Sequence, residues 1–282
     1  MEPTIERIRE SAFARWERRG QAHGFDRPDW LAAERQERFA RNYRVVLADG
    51  LDAASPRAIG SSSRRRCRFC AQSVPRTEFG APVAIVPNSI GTCGPVAFDH
   101  CTECAEAFAE GIDAALTRFA RPILDAWGSN PLPCSAIGVD AFKGLVKLGL
   151  SLMPVADLDE YEEAIEWVAN PDHDFDVNVF RDLACVALIA TEPTPAPWVV
   201  LAARTEPEEP WPSRLLFLGI GRVVLQVAIP MGQVDEDQDV LTSTLPDVCP
   251  PLAFGPSYDL VSRVAIPIRP CLAVPLPTRL SA

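Results

Sequence analysis

At the start of the chain, Ile5, Ile8, Ala12, Phe13 and Trp16 recur at helical spacing, with Glu and Arg on positions between them. The pattern predicts a short amphipathic helix over 5–16 that Gly20 stops. After a turn through Asp26 and Pro28, a second helix starts near Asp29 and runs through Trp30, Leu31 and Ala33 towards Tyr43, so that residues 1–46 form a helical segment. Residues 47–66 include Ser61 to Ser63 and Arg64 to Arg66, lack periodicity, and read as a flexible linker.

Helical periodicity returns after Cys104, through Phe108, Ile112, Ala115, Leu116 and Phe119, and Pro122 with the stretch 128–133 closes that unit. Further helices are expected over 141–152 and, with an apolar-acidic pattern, over roughly 157–168. Beyond Pro171 the pattern changes to short apolar runs at 184–190, 198–203, 215–220, 223–229 and 260–266, separated by Pro-, Glu- and Asp-rich turns. Their Val and Ile content predicts strands.

A chain of 282 residues, 48% of them hydrophobic, is long enough to bury a real core. No run of eighteen uncharged apolar residues occurs, and the first thirty residues are rich in Arg and Glu, so no membrane association and a cytoplasmic location are expected. Charge is divided along the chain. Residues 1–66 carry fourteen Arg against ten Asp or Glu, net +4, and the remainder carries net −15. Contact with nucleic acid would therefore use the basic N-terminal part, because phosphate binding depends on Lys and Arg.

Five of the nine cysteines lie between positions 67 and 104. Two Cys-x-x-Cys pairs, Cys67/Cys70 and Cys101/Cys104, stand thirty residues apart. Each such turn aims two sulfurs at one point, and two turns supply the four thiolates of a closed tetrahedral zinc site. With no open ligand position that zinc is structural, and Arg66, Arg68 or backbone N–H groups are placed to offset its excess negative charge. The competing readings are that one or both pairs are merely buried thiols, or that one is a redox pair, which needs a Cys-x-x-Cys opening a helix within a βαβ pattern and leaves the second pair without a role. Cys93 is read as a neighbour of the site, and the spacing leaves open whether it or His100 takes part. Cys134, Cys185, Cys249 and Cys271 stand among apolar residues and read as buried thiols.

The expected fold is α+β: a helical N-terminal arm, a linker, a zinc-stapled ββα unit over 67–125, a helical segment over 136–170, and a mainly antiparallel β domain over 175–282. In that last region there is no Gly-rich phosphate loop, nucleophile elbow or His-Glu metal motif.

Two stretches resemble known families. Ile8-Arg9-Glu10, Trp16-Glu17-Arg18 and Asp29-Trp30-Leu31-Ala32-Ala33-Glu34 resemble a short bacterial domain of unknown function that occurs as an N-terminal appendage; the likeness covers 5–36 and implies no activity. Cys67-Arg68-Phe69-Cys70, Thr77-Glu78-Phe79, Val83-Ala84-Ile85-Val86-Pro87, Ile90-Gly91-Thr92 and His100-Cys101-Thr102-Glu103-Cys104-Ala105 resemble an HNH-type endonuclease domain over 67–122. In that family a histidine before the hydrophobic pair and proline is the general base, and an asparagine follows the last cysteine. This chain has Ala84 and Ala105 at those positions, and Ala84 cannot accept a proton.

The resemblance therefore implies a catalytically inactive, HNH-like zinc-binding protein with no catalytic residues, serving as a binding or scaffold module for a nucleic-acid or protein partner. The alternative is an active metal-dependent endonuclease in which His100 or another group is a displaced base. Asp99 has no stronger claim to that role than His100, and His173, in Asn170-Pro171-Asp172-His173-Asp174, reads as a loop residue. Lys143 and Lys147, the only lysines, lie one helical turn apart, on what is expected to be an exposed helix face.

Overall fold

The computed structural model describes residues 4–63, 65–126, 136–173, 175–176, 185–190, 193–194, 196–206, 211–236, 245–250 and 260–269. Cys134, Cys271, Arg64, Asp174 and the 128–133 closure lie outside them.

Helices α1 (Ile5–Arg18) and α2 (Asp26–Asn42) form the expected hairpin. Thr4 caps α1, its Oγ1 accepting from the Arg7 N–H. The guanidinium of Arg19 forks onto buried Asp29, with Nη2 2.9 Å from Oδ1 and Nη1 3.1 Å from Oδ2, and this ties the end of α1 to the start of α2.

Residues 47–50, expected to open the linker, instead complete strand β1 (Tyr43–Gly50), which follows α2 directly and pairs antiparallel with a strand 150 residues later. Two features hide β1 in the sequence. It is an edge strand, buried only in part, and a register shift between Val45 and Leu47 interrupts the period-2 alternation.

Short strands β2 (Ala58–Ile59), β3 (Val83–Ala84) and β4 (Val96–Ala97) make a small sheet in the order β2-β4-β3. β3 and β4 are antiparallel and lead into α3 (Thr102–Glu110), after which Gly111 separates α4 (Ile112–Asp125). The helix expected at 141–152 is α5 (Val139–Leu152), preceded by β5 (Ile137–Gly138). The apolar-acidic stretch divides into a 3-10 turn (Val155–Tyr161) and α6 (Glu162–Ala169).

The strand-rich part supplies β6 (Cys185–Ala190), β7 (Trp198–Arg204), β8 (Arg214–Ile220), β9 (Val223–Ala228), the short α7 (Gln233–Glu236), β10 (Leu260–Ala265) and β11 (Ile268–Arg269). With β1 they build a six-stranded antiparallel sheet, ordered β1-β7-β8-β9-β6-β10, while β11 pairs parallel to β5. The fold is mixed α+β. Alternate residues of the central strands enter two cores: Val199, Leu201, Leu216 and Leu218 face the helices and cysteine region, whereas Trp198, Val200, Leu215 and Phe217 pack with Phe39, Tyr43 and Val248. Both faces are covered, which is why these strands read as continuous apolar runs. Trp198 lies across its cross-strand partner Gly219, where a Cβ would stand 2.2 Å from the indole Nε1.

α5 overturns the expected exposed lysine face. All residues from Ala141 to Leu152 are buried, because the helix runs through the main core with α4 on one side and β8 on another. Lys147, 1% exposed, donates to Asp113 (2.9 Å) and to the Ile85 carbonyl (3.2 Å). Lys143 stacks its ammonium 5.0 Å from the Trp167 ring centre. Burial draws the Lys143 pKa down. Among the described residues, no helix is long and apolar enough to cross a membrane.

Candidate metal centre

The two cysteine pairs reach one point from different local structures. Cys67-Arg68-Phe69-Cys70 forms a tight turn closed by the Ala71 N–H to the Cys67 carbonyl and the Cys67 N–H to the Gln72 carbonyl, with Ala71 in the left-handed region at φ 57°. Cys101 caps α3, its Sγ accepting from the Cys104 N–H at 3.5 Å, and Cys104 lies in the first turn. The start of a helix carries partial positive charge and suits thiolates.

The four sulfurs all lie within 4.8 Å of one another, and Cys70 Sγ is 3.7 Å from Cys101 Sγ. A tetrahedron with metal–sulfur bonds of about 2.3 Å places sulfurs about 3.8 Å apart. The spacing fits that set and is far beyond a disulfide bond, and the described cysteines are all free thiols. The Cys101 N–H also points at Cys67 Sγ, at 3.5 Å. A hydrogen bond from the Cys104 thiol, helped by backbone N–H groups, holds the Cys67 pKa at about 4 against the opposing effect of burial. The same bond, with burial, raises Cys104, while burial first and the charge on Cys67 raise Cys70 to about 11. Four thiolates this close repel one another, and a divalent ion would offset that charge.

Cys93 is not among the four. Its N–H donates to Leu51 and its carbonyl accepts from Ala53, so it belongs to a backbone bridge beside the small sheet. Cys185 and Cys249 are buried, as expected of core thiols.

Arg68 is drawn into the protein rather than towards the sulfurs. Its Nε and Nη2 both donate to Asp99 Oδ2, at 3.1 and 2.6 Å, and Nη1 donates to the carbonyls of Leu150 and Met153 at the end of α5. The first cysteine turn is thus bolted to α5. Arg66, the other expected counter-charge, donates from Nε to the Ala71 carbonyl.

His100 is 2% exposed, its ring edge-on to Phe69 and its Nε2 3.3 Å from Ser151 Oγ. The Ser151 hydroxyl donates to the Lys147 carbonyl, so Oγ accepts from His100 and the ring proton sits on Nε2. Burial, then the charges of Lys147 and Arg68, push the His100 pKa down to about 2. Ala84 lies in β3 with no proton-accepting group at its end, and Ala105 lies in α3. His173 sits in the turn after α6, its N–H donating to Asn170, and belongs to no metal-ligand cluster among the described residues.

Sequence reasoning did not find the Arg68–Asp99 lock, because charges 31 positions apart carry no spacing signal. It also did not find the apposition of the cysteine turn to α6, described below. The acidic spacing of Glu162 and Glu166 is visible in the sequence, but what it faces is not.

Residues 4–36, covering α1 and the first part of α2, match the model of a family described as a protein of unknown function (DUF2934). No curated protein and no solved structure matches the chain.

Proposed function

We propose that this chain is a zinc-binding protein whose residues 67–122 resemble an HNH unit without its catalytic machinery, and that it serves as a binding or scaffold module. The observation that carries the reading is the convergence of Cys67, Cys70, Cys101 and Cys104 within 4.8 Å. Four thiolates of tetrahedral spacing suit zinc, and a site with no open position suits a structural ion. Zinc would staple the cysteine turn to the start of α3 and hold the β3–β4 hairpin between them. Of the proposed units, 67–125 is the one such a staple would hold together; 136–170 and 175–282 remain proposed units, while the break between 1–46 and 47–66 falls inside β1.

The non-catalytic part of the reading rests on what surrounds the site. The β3 position matching the family's base is Ala84, and His100, beside Cys101, is enclosed by Phe69 and Ser151, out of reach of a substrate phosphate. Next to the cysteine turn stand Asp159, Glu162 and Glu166, which repel a phosphate backbone. A nucleic-acid contact would fall to the basic N-terminal part. The location proposed is cytoplasmic, a compartment that keeps thiols reduced, and among the described residues the cysteines are free thiols.

The test is metal content of the purified chain by mass spectrometry, beside a cleavage assay. One zinc per chain, lost in Cys67→Ala/Cys104→Ala, is expected, with no cutting of DNA or RNA in Mg2+ or Mn2+. Cutting by the wild type that His100→Ala abolishes would establish the alternative, an endonuclease with a displaced base. Absence of zinc from carefully handled protein would sink the metal reading.

A further inference from the structure

A cleft of about 520 Å3 opens between the first cysteine turn and the 3-10 turn with α6. Phe69, Leu158 and Ile165 give it an apolar lining, and Val155, 62% exposed, forms a lip. Its α6 side carries Asp159, Glu162 and Glu166, and none of these three has an ion-pair partner among the described residues. A second groove, about 350 Å3, shares Glu162 and Glu166 and adds Glu160 and Glu163, so the acidic ridge is open on both flanks.

Asp99 supplies a second, independent pointer. It lines the cleft and is 6% exposed; Oδ2 takes both bonds from Arg68, while Oδ1 is buried with no hydrogen-bond partner. A buried carboxylate oxygen without a donor is costly, and in native proteins such an atom is usually satisfied by something. The missing donor is an N–H or O–H group. Two cationic residues, Arg66 and Arg68, line the cleft against four acidic ones, and Arg68 is already neutralised by Asp99, so the charge offered to an entering group is negative.

From this geometry we infer that the cleft is a docking site for a basic peptide segment of a protein partner, one that alternates Arg or Lys with apolar residues. The inference deepens the reading of the chain as a binding module and rests on it. The apolar side chains of the segment fill the space over Phe69, Leu158 and Ile165. Its cationic side chains pair with Glu162 and Glu166, and one guanidinium or ammonium reaches towards Asp99 Oδ1. Arg is the better fit, since its fork meets two carboxylates at once. The volume lies in the range of specific small-ligand sites, enough for a few side chains rather than a folded domain.

The experiment uses the full chain and a peptide labelled with fluorescein at its N-terminal amine, fluoresceinyl-Leu-Arg-Leu-Arg-Leu-amide, with its Gln-for-Arg counterpart, read by fluorescence anisotropy. Saturable binding of the Arg peptide is expected, at least about tenfold tighter than the Gln peptide, and weakening as salt rises from about 50 to about 500 mM. Glu162→Gln/Glu166→Gln should weaken it about tenfold, whereas Glu10→Gln/Glu17→Gln on α1, with the same change in net charge, should leave it unchanged. Unaltered melting and metal content establish that the variants are folded. Equal binding of the two peptides, equal loss in both variants, or no loss in the first would overturn the inference. So would concentration-dependent self-association in sedimentation that the cleft variant abolishes and the peptide does not compete with, since the occupant would then be a second copy. Zinc present without peptide binding refutes this inference alone; peptide binding without zinc refutes the metal reading alone.

Discussion

Arg68 Nη2 lies 2.6 Å from Asp99 Oδ2, inside the protein and one residue from a cysteine of the candidate metal centre. The pair is nearly dry, and the remaining Arg68 nitrogen covers the last carbonyls of α5, groups that a helix end cannot satisfy by itself. Removing one partner leaves a buried charge uncompensated. Arg68→Ala should therefore cost about 3–5 kcal/mol, read as a lowered urea midpoint. A loss below about 0.5 kcal/mol, the scale of an ordinary surface substitution, would show that the lock does not hold the turn.

Lys147 and Asp113 form a second internal pair, tying α5 to α4. Lys147→Met preserves the stem but strips Asp113 of its counter-ion, and about 3 kcal/mol of stability should go with it. Lys147→Met/Asp113→Leu should recover most of that loss, because an apolar pair needs no desolvation of charge. Denaturation of the two singles and the double measures the coupling directly; additive losses would contradict it.

Asp235 gives a pH dependence of definite sign. Its carboxylate accepts from the Ser213 N–H and hydroxyl, and Tyr161 bonds the same hydroxyl. Burial raises its pKa above the ordinary carboxylate value, outweighing Ser213 and the charges of Arg204 and Arg214, which lower it. A raised carboxyl pKa means the folded state holds the proton more tightly than the unfolded one. That contribution to stability is complete below the ordinary value and is lost as pH rises through the raised one. The destabilisation caused by Asp235→Asn should thus be larger in acid and shrink towards neutrality. Melting curves of both proteins across that range give the comparison, and a cost that grows with pH would reverse the argument.

Gly219 faces the indole of Trp198 on the neighbouring strand, with no room for a methyl group. Gly219→Ala should destabilise by about 1–3 kcal/mol through displacement of the ring, and should raise near-ultraviolet evidence of altered tryptophan packing. A neutral substitution would mean the indole swings aside freely.

The elements themselves were largely legible. α1, α2, α5 and the five apolar strands follow from periodicity, which depends only on neighbours along the chain, and the paired Cys-x-x-Cys turns named the four cysteines now found together. The α1 and α2 residues also carried their likeness to a family without assigned function. β1 was hidden, since a bulged edge strand shows little alternation and takes its identity from β7, far along the chain.

Lysine placement shows the same division from the other side. At the sequence level, two lysines one turn apart suggest a solvated face; only packing against α4, β8 and Trp167 makes α5 a central helix and turns Lys147 into an internal cation that needs Asp113. Local spacing thus determined which residues form helices, strands and sulfur pairs. Tertiary structure alone decided that Arg68 meets Asp99, that His100 is enclosed, and that α6 sets its acids beside the cysteine turn. Such contacts join residues from tens of positions to about a hundred apart, and their energies come from burial and charge pairing that no window along the chain contains.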